Sequence, residues 1–169
     1  MTIALVFVLV YGFMAVEARR AAANERGQLA RGGVEAAGDV YPIMQIAYPA
    51  SFLIMLGESA VRGNQASLVA PGLVMLIAAK GLKWWAITSL GRFWTFRVIV
   101  VAGSTRVASG PYTFMRHPNY VAVIGELAGV ALMTGSVVAG PLATVGFSLL
   151  ILRRIAIENR ALDAMLPRG

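Results

Sequence analysis

Long apolar stretches alternate with short basic segments along the whole chain. Five stretches are apolar enough to suggest membrane helices, and they cover residues 1–16, 40–57, 63–79, 119–134 and 137–152. The third stretch continues through residues 80–87 toward one interface. Between the last two, Gly135-Ser136 and Gly140-Pro141 supply the turn residues of a helical hairpin. The pattern predicts an all-α integral membrane protein with about five transmembrane helices.

Composition supports a membrane protein rather than a soluble one. Of the 169 residues, 58% are apolar and 14% are charged, whereas a soluble domain has about 45–50% apolar and about 25% charged residues. The mean hydropathy is +0.71. We expect one membrane domain over residues 1–169, in which residues 1–89 form three spans and residues 90–169 form a core that ends in the hairpin.

Positive charges follow the same alternation. The segments after the five stretches hold 4, 1, 6, 0 and 4 of the 15 lysines and arginines. The six in the long connection are Lys80, Lys83, Arg92, Arg97, Arg106 and Arg116. The positive-inside rule then places the N-terminus outside and the C-terminus in the cytoplasm. Because the basic residues form no continuous run, the net charge of +7 indicates membrane topology rather than nucleic-acid binding.

The residue inventory excludes several kinds of active site. The chain has no cysteine, so disulfides, thiolate metal ligands and a cysteine nucleophile are excluded. His117 is the single histidine, whereas zinc or iron sites normally need two or three imidazoles. We therefore expect no metal site.

The long connection ends in Arg116-His117-Pro118-Asn119-Tyr120, at the start of the fourth stretch. Pro118 suits the first helical turn, because its missing N–H would be unpaired there anyway. Arg116 and His117 then lie beside unpaired N–H groups and the positive end of the helix dipole, where carboxylates and phosphates bind readily. An equally good interpretation makes Arg116 a topological anchor and His117 an incidental cap.

Two further charged positions suggest function. Glu126 lies about two turns inside the fourth stretch, and ionisable groups inside a span usually face the bundle interior and mark a functional site. On a helical wheel Glu126 shares a face with Asn119. At the end of the fifth stretch, Arg154 and Glu158 are four residues apart, so they can pair on one helix face.

These motifs resemble the isoprenylcysteine carboxyl methyltransferase family. The resemblance rests on Gly110-Pro111-Tyr112, on Arg116-His117-Pro118-Asn119-Tyr120 before a membrane helix, and on Arg154-x-x-x-Glu158-x-x-x-Leu162 after a short hairpin. It covers roughly residues 90–162. The N-terminal half, with Asn24-Glu25-Arg26, Gly33-Val34-Glu35 and Asp39-Val40-Tyr41-Pro42, is similar to a bacterial branch of this family.

The resemblance implies an enzyme of the bacterial inner membrane that uses S-adenosylmethionine, releases S-adenosylhomocysteine and has its active site facing the cytoplasm. Its acceptor would be lipophilic, either a lipid carboxylate such as that of an isoprenylcysteine or a phenolic hydroxyl such as that of an alkylresorcinol. Residues 90–169 would be the cofactor-binding core. Membrane lipids would surround the protein, and its oligomeric state stays open.

Carried over by position, the family pattern places Arg116, His117, Asn119 and Tyr120 around the cofactor and puts Glu158, with Arg154 nearby, at the junction of cofactor and substrate. We add Glu126 to the cofactor-binding residues, because it shares a face with Asn119. Two features depart from the pattern. Asn159 stands where relatives have a second acidic residue, and the chain ends at Leu166-Pro167-Arg168-Gly169 where relatives continue with a tyrosine-containing, basic segment.

Methyl transfer from a sulfonium requires in-line alignment, exclusion of water and a nucleophile in the right protonation state. A carboxylate acceptor needs only an Arg or Lys clamp. A phenol, with a pKa of about 10, needs a base within hydrogen-bond reach, and Glu158, Glu126 and His117 are the candidates. The aromatic faces of Tyr120 or Trp94 would suit a sulfonium through cation–π contact.

Two other functions compete with this hypothesis. A membrane reductase of the sterol-reductase type resembles the same C-terminal architecture, and Arg92, Arg97 and Arg106 would suit the phosphate of NADPH, although such reductases are usually larger. A small non-enzymatic scaffold is the other alternative. Its helices would pack through Gly125 and Gly129, a small-xxx-small pair that suits a seam within one chain or between two.

Overall fold

The computed structural model of the protein describes residues 2–63 and 68–165. Within these ranges the chain forms five α-helices, which are α1 (Thr2–Leu29), α2 (Tyr41–Val61), α3 (Val69–Leu90), α4 (Pro118–Thr134) and α5 (Ala139–Met165). Their number agrees with the five apolar stretches of the sequence. Residues 64–67, in the expected third span, lie outside the described residues. So do residues 166–169, where the second of the two departures from the family pattern falls.

A small sheet that the sequence did not predict joins two of the connections. Its strands are β1 (Val34–Glu35) and β2 (Ile99–Val100), which pair antiparallel with Val34 opposite Val100. Short 3-10 turns follow α3 at Gly91–Phe93 and precede α4 at Gly110–Thr113. The connections before α2 and before α4 therefore meet at one end of the helical bundle, which we call the loop end.

Among the described residues, two helices are long and apolar enough to cross a membrane. They are α3 with the turn that follows it, over Val69–Phe93, and α5. Helix α4 is apolar too but has 17 residues. Large apolar side chains on α2, α3 and α5 are exposed, among them Ile54, Val74 and Leu149. An apolar exterior of this kind is typical of a protein in contact with lipid.

Helices α3 and α4 pack closely because glycines line their contact. A Cβ atom on Gly129 would lie 2.9 Å from the backbone nitrogen of Leu76, and one on Gly72 would lie 2.7 Å from the carbonyl oxygen of Gly129. A Cβ atom on Gly125 would lie 3.0 Å from the Cβ of Ala79. Gly125 and Gly129 therefore form a packing seam, and this seam joins two helices of one chain.

Helices α1 and α3 extend further than the apolar stretches predicted. Helix α1 continues past Val16 to Leu29, and α3 includes Lys80 and Lys83, which the charge count assigned to the long connection. That assignment was wrong, since the Lys83 side chain is 3% exposed and pairs with Glu17 on α1. The predicted stretches were ended at their first charged residues. A buried helix can continue through a charged residue when that residue is paired.

Polar side chains of α1 hold the segment of residues 91–98 across the loop end. The side-chain amide of Asn24 donates to the carbonyl oxygen of Trp94 at 2.7 Å. The carboxylate of Glu25 accepts a hydrogen bond from the backbone N–H of Phe96 at 3.2 Å. Because these bonds hold the backbone itself, the segment keeps a fixed path beside the ends of α4 and α5.

At the opposite end, Glu58 of α2 caps the N-terminus of α5. Its carboxylate accepts hydrogen bonds from the hydroxyl of Ser136 at 2.5 Å, from the N–H of Ala139 at 2.7 Å, and from the N–H groups of Val137 and Val138 at 3.1 Å. These bonds, led by that of Ser136, lower the pKa of Glu58 below its usual value. The hairpin between α4 and α5 is thereby attached to α2.

We predict that Glu58→Gln lowers the melting temperature of the detergent-purified protein at neutral pH. Because the pKa of Glu58 is lower in the folded chain, its stabilisation is fully present above the unfolded pKa of about 4.3. It is lost as the pH falls through the folded value. The difference in melting temperature between variant and wild type should therefore shrink on acidification.

Glu35→Gln is the control for this measurement, since Glu35 forms an exposed ion pair with Arg97 at the other end of the bundle. Exposed pairs contribute little to stability, so this variant should melt close to wild type. Equal melting temperatures of the Glu58 variant and wild type at pH 7 would contradict the role of Glu58 as a cap.

Candidate active site

A cavity of about 330 Å³, the first cavity, lies at the loop end between the long connection and the ends of α4 and α5. Its volume falls within the range of about 300–1,000 Å³ that is usual for small-molecule sites. Six of the seven predicted site residues line it, namely Arg116, His117, Asn119, Tyr120, Arg154 and Glu158. Asn159 lines it as well. Residues from two distant motifs of the sequence thus meet at one cavity.

His117 occupies the N-cap position of α4, yet its side chain makes no capping hydrogen bond. Its Nε2 atom is buried and has no hydrogen-bond partner among the described residues. A buried polar atom without a partner costs free energy unless a ligand or water satisfies it. The geometry therefore favours a ligand-binding side chain at this position over an incidental helix cap.

Arg154, Tyr120 and Glu158 form a hydrogen-bonded row along the wall of the first cavity. The Nε of Arg154 donates to the hydroxyl oxygen of Tyr120 at 2.9 Å, and this hydroxyl donates to Oε2 of Glu158 at 2.6 Å. The expected direct pair of Arg154 with Glu158 was wrong. The Tyr120 hydroxyl from α4 lies between the two side chains, and Arg154 pairs with Asp39 instead, at 2.8 Å.

The remaining contacts of Arg154 fix its orientation. One terminal nitrogen donates to the carbonyl oxygen of Phe96, and the other donates to Oδ1 of Asp39. Oδ2 of Asp39 in turn accepts from the backbone N–H of Val98 at 2.8 Å. Arg154 is 5% exposed, so these partners compensate its charge where water does not. The segment before α2 therefore helps to position a side chain of α5.

The ionisable groups of the first cavity are of both signs. Burial, followed by the charge of Glu158, raises the pKa of Tyr112 above its usual value of about 10. This phenol therefore stays protonated at neutral pH and can donate a hydrogen bond into the cavity.

Within the described ranges, no three His, Cys, Asp or Glu side chains are placed to hold a metal ion.

A second cavity of about 370 Å³ adjoins the first. Both cavities are lined by Trp94, Thr95, Asn119, Tyr120 and Arg154, which form the shared wall. The aromatic side chains that line only the second cavity are Tyr41, Tyr48, Phe96 and Phe147. This cavity is therefore rich in aromatic side chains and opens beside the charged row of Arg154, Tyr120 and Glu158.

Glu126 lines neither cavity, so the structure does not bring it together with the other six predicted residues. It belongs to a buried group of four charges, the ion cluster, with Glu17, Lys80 and Lys83. Lys80 Nζ lies 3.0 Å from a carboxylate oxygen of each glutamate, and Lys83 Nζ lies 2.7 Å from Glu17 and 3.3 Å from Glu126. The hydroxyl of Tyr48 also donates to Glu126. The helical wheel predicted that Glu126 points into the bundle. There it meets the ion-cluster residues of α1 and α3, and Tyr48 of α2.

Sequence reasoning missed four charged residues that line the second cavity or pair with a residue that lines it. They are Glu17, Lys83, Asp39 and Lys80. One signal was available for three of them. Glu17 directly follows the first apolar stretch, and the two lysines interrupt the continuation of the third. Ionisable residues inside membrane helices are usually paired, so opposite charges at corresponding depths of two spans predict a contact. Asp39 lies in a connection and has no comparable signal.

The fold and the first cavity define a helical protein with membrane-type apolar helices and, at one end of its bundle, a cavity lined in part by charged and hydrogen-bonding side chains. Residues 72–164 match the model of the Isoprenylcysteine carboxyl methyltransferase (ICMT) family. The chain belongs to the isoprenylcysteine carboxyl methyltransferase family, which confirms the resemblance carried by its motifs. This membership indicates a membrane methyltransferase.

Several curated relatives are similar over much of the chain. The uncharacterized protein YpbQ of Bacillus subtilis is 30% identical over 150 residues, which cover 88% of this chain and 89% of the relative. An uncharacterized protein of Haemophilus influenzae is 23% identical over 150 residues, which cover 86% of this chain and 86% of the relative. The cobalt-zinc-cadmium resistance protein CzcN of Cupriavidus metallidurans is 30% identical over 95 residues, or 54% of this chain and 43% of the relative. No solved structure matches the chain significantly.

We predict that Asp39→Asn lowers the free energy of unfolding by about 3–5 kcal/mol, because it removes one partner of a buried ion pair and leaves the charge of Arg154 uncompensated. Asp163→Asn is the matched control, since Asp163 pairs with Arg106 where both side chains are about half exposed. It should cost less than about 1 kcal/mol. Denaturant unfolding in detergent measures both values, and equal losses would refute the special role of the Asp39 pair.

Proposed function

We propose that the protein is an S-adenosylmethionine-dependent methyltransferase that acts on an oxygen atom of a lipophilic acceptor. The observation that carries this proposal is the convergence at the first cavity. Six residues expected from the family pattern line it, and one of them, His117, has a buried nitrogen without a partner among the described residues.

The residues of the first cavity suit the cofactor. S-adenosylmethionine would supply the methyl group as an electrophilic carbon on a positively charged sulfur. His117 Nε2 offers a free hydrogen-bonding position for the polar groups of such a molecule. The aromatic side chains of Trp94 and Tyr120 face the same cavity and suit a cation. Arg116, also on the cavity wall, suits a carboxylate.

Glu158 and Arg154 are the proposed catalytic residues. Glu158 is held by the Tyr120 hydroxyl, and that hydroxyl is held by Arg154, so the orientation of the carboxylate is fixed before any acceptor arrives. A phenolic acceptor needs a base, a role that suits Glu158. A carboxylate acceptor needs a cationic clamp, and Arg154 would fill that role only by exchanging its pairing with Asp39 for one with the acceptor. Of the two acceptors, an isoprenylcysteine carboxylate or a phenolic lipid, the phenolic lipid therefore fits this wall without breaking an ion pair.

We further propose five membrane spans with the N-terminus outside and the loop end in the cytoplasm of a bacterial inner membrane. Four arginines remain in the long connection after Lys80 and Lys83 are assigned to α3, namely Arg92, Arg97, Arg106 and Arg116. The hairpin turn between α4 and α5 has no lysine or arginine. The positive-inside preference therefore still points the loop end to the cytoplasm, where a soluble cofactor would enter.

Cofactor binding and turnover are tested separately. We expect saturable calorimetric binding of S-adenosylhomocysteine to the detergent-purified protein and none of NADPH. His117→Ala should weaken this binding about 10-fold or more, because it removes a buried hydrogen-bonding group. Glu158→Gln should lower methylation of a lipid acceptor about 100-fold or more through loss of the base.

Glu58→Gln serves as the control for both variants, because it removes a carboxylate charge at the opposite end of the bundle. It should bind S-adenosylhomocysteine and turn over like wild type. Binding of NADPH alone would favour a reductase, and absence of S-adenosylhomocysteine binding by wild type would refute the proposed function. Full turnover in both site variants would refute the site assignment alone.

The proposed topology has a direct test because the chain has no cysteine. Single cysteines at Val137 in the hairpin turn and at Ala102 beside β2 would both be exposed. A membrane-impermeant maleimide should label Val137→Cys in intact spheroplasts and Ala102→Cys in inverted membrane vesicles. The opposite pattern would reverse the orientation, and labelling of both sites from one side would refute the number of spans.

A further inference from the structure

Two of the four residues of the ion cluster line the second cavity. Glu17 and Lys83 line this cavity, together with Tyr48, whereas Lys80 and Glu126 do not. All four charged side chains are deeply buried, at 11% exposure or less. The cluster thus has one side that faces a cavity and one side enclosed by the helices α1, α3 and α4.

We propose that Glu17 and Lys83 bind, in the second cavity, a polar group of the acceptor other than the oxygen that receives the methyl group, and that this head group is uncharged and both donates and accepts hydrogen bonds. The proposal rests on the proposed function, since it assigns the acceptor side of the same site. Lys80 and Glu126 are positioning residues that hold the pair from behind, and Tyr48 donates to Glu126 from the cavity wall.

The hydrogen-bonding capacity of the pair supports this assignment. An ammonium group has three N–H donors, and each carboxylate oxygen has two lone pairs. Lys83 Nζ contacts two carboxylates, those of Glu17 and Glu126. Each Glu17 oxygen contacts one lysine, Oε1 with Lys80 and Oε2 with Lys83. Lys83 Nζ lies 3.3 and 3.5 Å from the two oxygens of Glu126, so a ligand that accepts from Lys83 would take an N–H from these longer contacts, while the Glu17 oxygens keep lone pairs for a donor.

The charge balance of the cavity selects the kind of head group. The two lysines of the ion cluster face two glutamates, and Arg154 on the shared wall is paired with Asp39. No net positive charge is then left to compensate an additional buried anion, and such an anion would be costly to desolvate. A neutral group that donates to Glu17 and accepts from Lys83 adds hydrogen bonds without adding charge.

The remaining walls of the second cavity fit a flat and largely apolar molecule. Aromatic side chains from α2, from residues 94–96 and from α5 surround it, among them Tyr48, Trp94 and Phe147. Ring faces of this kind pack against planar groups in stacked or tilted arrangements. Tyr120 and Arg154 belong to the walls of both cavities, so a ligand held here lies next to the proposed cofactor cavity.

The test compares two double variants that keep the charge balance of the ion cluster. Glu17→Gln/Lys83→Met removes the pair that faces the cavity, and Glu126→Gln/Lys80→Met removes the pair behind it. Each double removes one carboxylate and one ammonium, so both are expected to remain folded, and thermal melting monitors this. The probe is the diphenol 5-pentadecylresorcinol in detergent, because its second hydroxyl leaves one oxygen free for the shared wall, with binding followed by tryptophan fluorescence because Trp94 lines the cavity.

We expect saturable binding to wild type, a loss of about 10-fold or more in affinity for the cavity-facing double, and less than about threefold for the matched double. Equal losses in the two doubles would overturn the proposal and leave the ion cluster a structural element. So would no loss in either double, or no saturable binding by wild type.

Binding of S-adenosylhomocysteine separates this proposal from the proposed function. Neither double touches a residue that lines only the first cavity, so both should keep wild-type affinity for S-adenosylhomocysteine. If wild type binds that molecule but the two doubles lose the diphenol equally, the head-group site is refuted and the methyltransferase function stands. If wild type fails to bind it, the function falls whatever the diphenol shows.

Discussion

A charged side chain inside a bundle of apolar helices must be paired, because an isolated buried charge costs several kcal/mol even after relaxation. This requirement determines how the helices of this protein meet. In the ion cluster each of the carboxylates of Glu17 and Glu126 contacts both Lys80 and Lys83, which joins α1, α3 and α4. A shift of one helix by a turn, about 5.4 Å, would separate these partners. The cluster therefore selects one register among those that apolar helix faces would tolerate.

The same requirement shapes the loop end around Arg154. Its guanidinium is satisfied by Asp39, by the carbonyl oxygen of Phe96 and by the hydroxyl of Tyr120. These three partners come from the segment before α2, from the segment after α3 and from α4. One buried cation thus joins three separate parts of the chain, and Arg154 and its partner Tyr120 both belong to the wall that the two cavities share. The geometry of the site follows from the compensation of a charge.

The sequence predicted those features that depend on local pattern. Five apolar stretches, the turn at Gly135 and the motif from Arg116 to Tyr120 each depend on neighbours in the chain, and the structure has the corresponding helices, hairpin and cavity lining. Contacts between distant segments were not predictable in this way. Tyr120 separates Arg154 from Glu158 because α4 packs beside α5, and helical spacing alone cannot show a side chain that enters from another helix.

The N-terminal half helps to form the second cavity, although most of it lies outside the segment that matches the family model. The family match begins at residue 72, whereas Glu17, Tyr41 and Tyr48 of the second cavity all precede it. The first cavity is lined by residues from Leu90 onward, so the matched segment provides the walls of the proposed cofactor cavity. Under the proposed function, the residues that bind the cofactor and those that select the acceptor can therefore vary independently along the chain. A change in α1 or α2 alters the second cavity directly, while it reaches the first cavity through intermediates such as the backbone of residues 91–98, which Asn24 and Glu25 hold.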